Sequence, residues 1–145
     1  PVSARQARSL AGWLLALALA GCASVPERPR LYDQLGGTEG ITAIVEGLLF
    51  RLVENPRIGH HFADADIFRL REKLIEQFCV EADGPCTYTG EAMDVAHTGH
   101  AIDEGAFNAL VEDLQLAMEA LDVPVAAQNR LLAKLAPMRA DIIHR

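Results

Sequence analysis

His97 is the side chain best placed to do chemistry. It closes the run Val95-Ala96-His97, so its ring enters a partly buried neighbourhood. Neutral imidazole there is a good ligand for iron, and its second nitrogen commonly finds a backbone carbonyl or a carboxylate. A lone histidine near the end of a short helical segment more often only packs. His60 and His61, just before Phe62, read as surface residues of a corner, and His100 follows the Gly99 break. Cys79 and Cys86 are seven residues apart, one near a helix end and one in the next loop, so their Cα atoms can come within bridging range. They lack the CxxC spacing of a thiolate metal site, which would also need further ligands.

The elements that must carry these residues are helical. Ile41, Ile44, Val45, Leu48, Leu49 and Leu52 follow a 3.6-residue period, with Gly36-Gly37 as the preceding turn, Thr38 as cap and Asn55-Pro56 as the stop. A second helix starts near Asp66, buries Ile67, Leu70, Leu74 and Phe78, and ends before Gly84-Pro85. A short helical turn spans Met93 to His97. A long helix then buries Phe107, Leu110, Val111, Leu114, Met118 and Leu121. The last begins after Asp122, with Pro124 at an early position, buries Leu131, Leu132, Leu135, Met138 and Ile142, and is kinked by Pro137. No segment reads as a strand. The aperiodic stretch from Gly84 to Ala92 is too long for the connections of a simple four-helix bundle and suits a cofactor pocket better.

The order LYDQLGGTEG (31–40), Phe62 after a histidine-rich corner, GPCTYTG (84–90) and AMDVAH (92–97) resembles the group I truncated haemoglobins over about residues 31–143. That resemblance implies an all-α fold, a two-over-two helical sandwich around haem b. It makes His97 the proximal ligand of the haem iron and sets the Phe62 ring flat on the porphyrin. Leu70, Leu74, Phe78 and Phe107 would line the rest of the pocket. Lys73 would pair with a haem propionate, simple solvation being its alternative, and a second histidine as sixth ligand is the lesser reading. The chain departs from the family on the distal side. Leu49 and Leu74 stand where many members carry a tyrosine and a glutamine that hydrogen-bond bound oxygen, and Asp83 replaces the first glycine of a common pair.

The N-terminus reads as a leader. Arg5 and Arg8 precede an apolar run, Leu10 to Ala20, that is shorter than the roughly 20 residues of a membrane span. It closes on Leu19-Ala20-Gly21-Cys22, which resembles the bacterial lipobox; an ordinary signal peptide is the alternative. The expected organisation is a lipoprotein signal peptide (1–21), a lipidated Cys22 with a proline-bearing tether (22–30) and a truncated globin domain (31–145). Export favours a Cys79–Cys86 disulfide over two free thiols. Ala23 and Ser24 suit anchoring to the outer membrane, facing the periplasm. Loss of Arg5 and Arg8 takes the 13 bases to 11 against 20 acids, a net charge of −9 that argues against nucleic acid and anionic lipid as partners. The expected activity is reversible binding of a diatomic gas (O2, NO or CO), with reductant supplied from elsewhere. The alternatives are an enzyme turning over NO with O2, or peroxides, and a structural lipoprotein without haem. Such enzymes normally use a polar acid–base group, which the distal positions lack.

Overall fold

A computed structural model describes residues 28–145; the leader and Cys22 lie outside them. Seven helices follow one another: α1 (Leu31–Gln34), α2 (Gly37–Glu54), α3 (Ile67–Glu81), α4 (Met93–His97), α5 (Glu104–Glu119), α6 (Val125–Leu135) and α7 (Arg139–Ile142). Short 3-10 turns occupy Gly59–Phe62 and Ala136–Met138, and the described residues include no strand. None of these helices is long and apolar enough to cross a membrane. The pair α2 and α3 packs against the pair α5 and α6, with α2 in the widest contact.

The central helix obeys its period. Ile41, Ile44, Val45, Leu48, Leu49 and Leu52 are all buried, against a face of α5 that buries Ala109, Leu114, Ala117 and Met118. Gly36 and Gly37 turn the chain into α2 with φ of 87° and 66°, a left-handed backbone that glycine adopts without strain. Thr38 is not the cap. The helix starts one residue earlier, and the Tyr32 hydroxyl closes its end, accepting the Thr38 N–H at 3.1 Å and sitting 2.7 Å from the Thr38 hydroxyl. Asn55 stops α2 as expected. Its side chain accepts the Arg57 N–H at 3.0 Å and donates to the Asp113 carboxylate at 2.7 Å. That bond explains an acid on the buried face of α5, since a buried carboxylate is costly unless hydrogen-bonded.

Asp66 caps α3 by accepting the Arg69 N–H at 3.0 Å. Of the four apolar residues expected in its core face, only Phe78 is fully buried, joined by Cys79; Ile67, Leu70 and Leu74 are half-buried. Asp83, in the glycine position, keeps a left-handed backbone with φ of 60°, which Asp tolerates better than most residues. Leu121 lies beyond the end of α5 and is exposed rather than buried. Pro124 is the residue before α6, not its first turn, and Pro137 does more than kink the last helix. It replaces the helix with a 3-10 turn between α6 and α7, because proline offers no N–H and crowds the preceding turn. On α6, Arg130 donates to the Pro29 carbonyl at 3.0 Å and also reaches Gln34, fixing the root of the N-terminal segment.

Cys79 at the end of α3 and Cys86 in the following loop form a disulfide, with Cα atoms 5.9 Å apart. It ties the segment between α3 and α4 to a fully buried point of the core. Closing so short a loop stabilises the fold by roughly 2–3 kcal/mol on the chain-entropy model. Reduction, or Cys86→Ser, should lower the urea-unfolding free energy by about that amount. Equal stability of the oxidised and reduced chains would show that the bridge constrains nothing.

Candidate functional site

A cavity of about 380 Å³ lies among α3, α4 and α5. Helical spacing builds its long walls. Leu70, Lys73, Leu74 and Gln77 recur along one side of α3, and Ala106, Phe107 and Leu110 along α5. The corner before α3 contributes His61 and Phe62, the irregular loop Tyr88 and Gly90, and α4 contributes Met93, Ala96 and His97. Leu52, Ile58, His100, Ile102 and Ile142 also line it. The half-burial of Leu70 and Leu74 follows from this: they face the cavity rather than a neighbouring helix.

Six of the residues singled out from the sequence therefore meet at one place: Phe62, Leu70, Lys73, Leu74, His97 and Phe107. Two do not. Phe78 is turned by one helical step from Gln77, which takes the cavity side while the Phe78 ring enters the core. Leu49 is likewise a core residue, and α2 presents Leu52 to the cavity instead. To the lining, α2 thus contributes Leu52, and α3 contributes Leu70 and Leu74.

The geometry around His97 orients its ring. Nδ1 lies 2.7 Å from the Met93 carbonyl oxygen, one turn back in α4, so Nδ1 carries the proton and donates. The neutral ring then keeps Nε2 as an acceptor on a side chain that lines the cavity. Among the described residues no cluster of three or more His, Cys, Asp and Glu could hold a bare metal ion. A metal at His97 would have to bring most of its ligands with it.

Polar groups ring the cavity, most of them engaged. Lys73 donates to Glu76 at 3.0 Å and to the Thr89 hydroxyl. The Thr89 backbone N–H, then the Lys73 ammonium, hold the Glu76 carboxyl below the usual carboxylate range. The stability this lends is present at neutral pH and is lost as pH falls through that lowered value. Tyr88 donates to the Glu91 carbonyl at 2.9 Å. The Gln77 amide nitrogen faces the sulfurs of Met138 at 3.1 Å and Met93 at 3.6 Å. His61 is half-buried on the wall rather than at the surface. Burial, and then the neighbouring imidazoles of His60 and His100, push it below the usual imidazole range.

Sequence reasoning missed Gln77, Tyr88, Met93, Leu110, His61 and Ile142 as wall residues. Gln77 had a signal, one turn after Lys73 on the same face of α3, which its polarity concealed. Leu110 and Met93 had the same kind of signal, one turn from Phe107 and His97 respectively. Tyr88 sits in an aperiodic loop, where spacing carries no information about direction.

Two packed helix pairs, and an apolar cavity among α3, α4 and α5 with an oriented histidine in its wall, are laid out as in a globin. The profile of the bacterial-like globin family matches residues 30–144, and the chain belongs to that family. The group 1 truncated hemoglobin GlbN of Mycolicibacterium paratuberculosis is 29% identical over 116 residues, covering 80% of this chain and 85% of that protein. The group 1 truncated hemoglobin GlbN of Synechocystis is 29% identical over 119 residues, covering 79% of this chain and 93% of its own. Among solved structures, the ferric truncated hemoglobin of Tetrahymena pyriformis superposes with a TM-score of 0.77 at 24% identity, over 79% of this chain and 98% of that one. The 2/2 hemoglobin of Synechococcus, in its cyanomet state with covalently attached heme, gives 0.75 at 20%, over 81% and 100%. These superpositions establish the two-over-two helical fold.

Proposed function

We propose that the chain is a haem-binding truncated haemoglobin that binds a diatomic gas reversibly, with His97 as the residue that would hold the iron. The observation that carries this reading is the His97 ring, its Nδ1 proton committed to the Met93 carbonyl, on a side chain that lines an apolar cavity. The residues present fit the group. Phe62, Leu70, Leu74, Phe107 and Leu110 supply apolar walls for a flat macrocycle, and Lys73 stands at the rim where an anionic edge would lie. Haem supplies an iron centre able to take O2, NO or CO. The protein's part is to orient the imidazole, exclude water and set which ligand is favoured. Reducing equivalents come from a separate partner.

The test of the ligand is spectroscopic. Haem-reconstituted His97→Ala should lose the ferrous spectrum of histidine-ligated haem, and added imidazole should restore it, while His60→Ala and His100→Ala keep it. An unchanged ferrous spectrum in His97→Ala without imidazole would rule out the assignment.

The distal wall sets ligand preference. Haem iron would bind O2 as a hydrogen-bond acceptor, so a buried donor in this wall would favour it by about 1–1.5 kcal/mol. Leu52, Leu70 and Leu74 offer none. Leu74→Gln places an amide on the wall and should slow O2 dissociation about tenfold, since 1.4 kcal/mol is a decade, with little change for CO. If O2 and CO slow equally, the substitution acts by blocking exit and the polarity argument fails.

The globin region is proposed to be carried as a lipoprotein, facing the periplasm and anchored, most simply in the outer membrane, through Cys22. The lipobox-like Leu19-Ala20-Gly21-Cys22 supports this, as does a net charge that gives the domain no affinity of its own for anionic lipid. Stable anchoring takes at least two acyl chains. Cys22→Ser should therefore move the processed protein into the soluble fraction; a cleaved chain still found in the membrane pellet would contradict the anchor.

A further inference from the structure

Glu76 is the point at which α3 grips the irregular segment ahead of His97. One carboxylate oxygen accepts the Thr89 backbone N–H at 2.8 Å and the Thr89 hydroxyl at 2.9 Å. The other accepts from Lys73 at 3.0 Å, and Lys73 also donates to the Thr89 hydroxyl. The three side chains form a closed ring in which Thr89 gives its hydroxyl proton to Glu76 and receives one from Lys73. The side chains of Lys73 and Glu76 are only 19% and 20% exposed, while Thr89 lies at the surface. The neighbours of Thr89 on both sides, Tyr88 and Gly90, line the cavity, as does Lys73 itself. An ammonium carries three donors; this ring engages two of them, and the Glu72 carboxylate lies 3.5 Å from the same nitrogen.

We infer that Glu76 is a positioning residue for the cofactor: it clamps the segment around Thr89 as one edge of the cavity and holds the Lys73 ammonium beside that edge, where a carboxylate of the cofactor would meet it. The clamp stands on the geometry of this chain alone; its role in retention rests on the haem reading above. Two consequences distinguish it from a surface ion pair. The Thr89 amide proton is shielded by a charged acceptor, so it exchanges slowly only while that acceptor is present. Glu76 carries both bonds to residue 89, so its removal gives the full effect, loss of the Thr89 hydroxyl alone gives part of it, and removing both gives no more than removing Glu76.

The experiment uses Glu76→Gln, Thr89→Val, their double variant, Thr89→Ser, and Glu72→Gln as a control, Glu72 being an exposed neighbour 3.5 Å from Lys73. Hydrogen exchange at the Thr89 amide is read on the haem-free chain, and haem transfer to an excess of an apo-acceptor protein on the loaded chain. Glu76→Gln should speed both about tenfold, the equivalent of one charge-assisted hydrogen bond. Thr89→Val, which keeps the backbone N–H, should speed haem release less than Glu76→Gln, the double variant should match Glu76→Gln, and Thr89→Ser and Glu72→Gln should behave as wild type. Thr89 exchange unchanged in Glu76→Gln overturns the clamp. Faster exchange with unaltered haem release leaves a structural tie only and overturns the positioning role. A chain that takes up no haem overturns the haem reading together with the retention role, while the exchange measurement still decides the clamp.

Discussion

The bond from the His97 ring to the Met93 carbonyl lies inside a helix of five residues. A helix that short does not form in isolation, because nucleation costs more than its one or two hydrogen bonds return. The orientation of the imidazole is therefore borrowed from whatever holds α4 and the chain leading to it. Three supports are visible. The disulfide fixes the near end of the loop to the core side of α3, Glu76 holds its middle through Thr89, and α7 packs directly on α4. The break at Pro137 follows the same logic, since an unbroken last helix would not place the separate α7 segment against α4.

Wherever the chain repeats with a helical period, its sequence revealed the structure well. The buried stripe of α2 is read residue for residue from its spacing, and Asp66 and Asn55 mark helix ends by side-chain chemistry that works locally. The errors fall where distance along the chain stops being informative. Thr38 looks like a cap, but the hydroxyl that closes α2 belongs to Tyr32, six residues back. Leu49 and Phe78 lie on apolar stripes that are wide enough to face both core and cavity, and periodicity does not say which side a given residue takes. Gln77 illustrates the reverse: a polar residue on an apolar stripe looks like a solvent position until a cavity is known to run beside it.

His97 and Lys73 differ in how far residue type alone could take them. The imidazole needed only its place in an ordered set of motifs, and its hydrogen bond is to its own helix. The lysine was open between solvent and a rim partner, and its environment depends on Glu76 and Thr89, the latter sixteen residues away across a loop with no period. Long-range polar rings of this kind leave no trace in hydropathy. They become legible only when the two segments are seen side by side.

The disulfide has a consequence in time as well as in space. Its cysteines are separated by 7 positions, and a chain segment of that order closes in about 10–100 ns, far faster than thiol oxidation. The two thiols thus meet repeatedly in the unfolded chain, and the oxidant rather than the fold sets the rate of pairing. The sequence contains 3 cysteines, and acylation of Cys22, as proposed, would withdraw one of them. A single pair has a single connectivity. Such a protein can be oxidised before its helices assemble without mispairing within the chain.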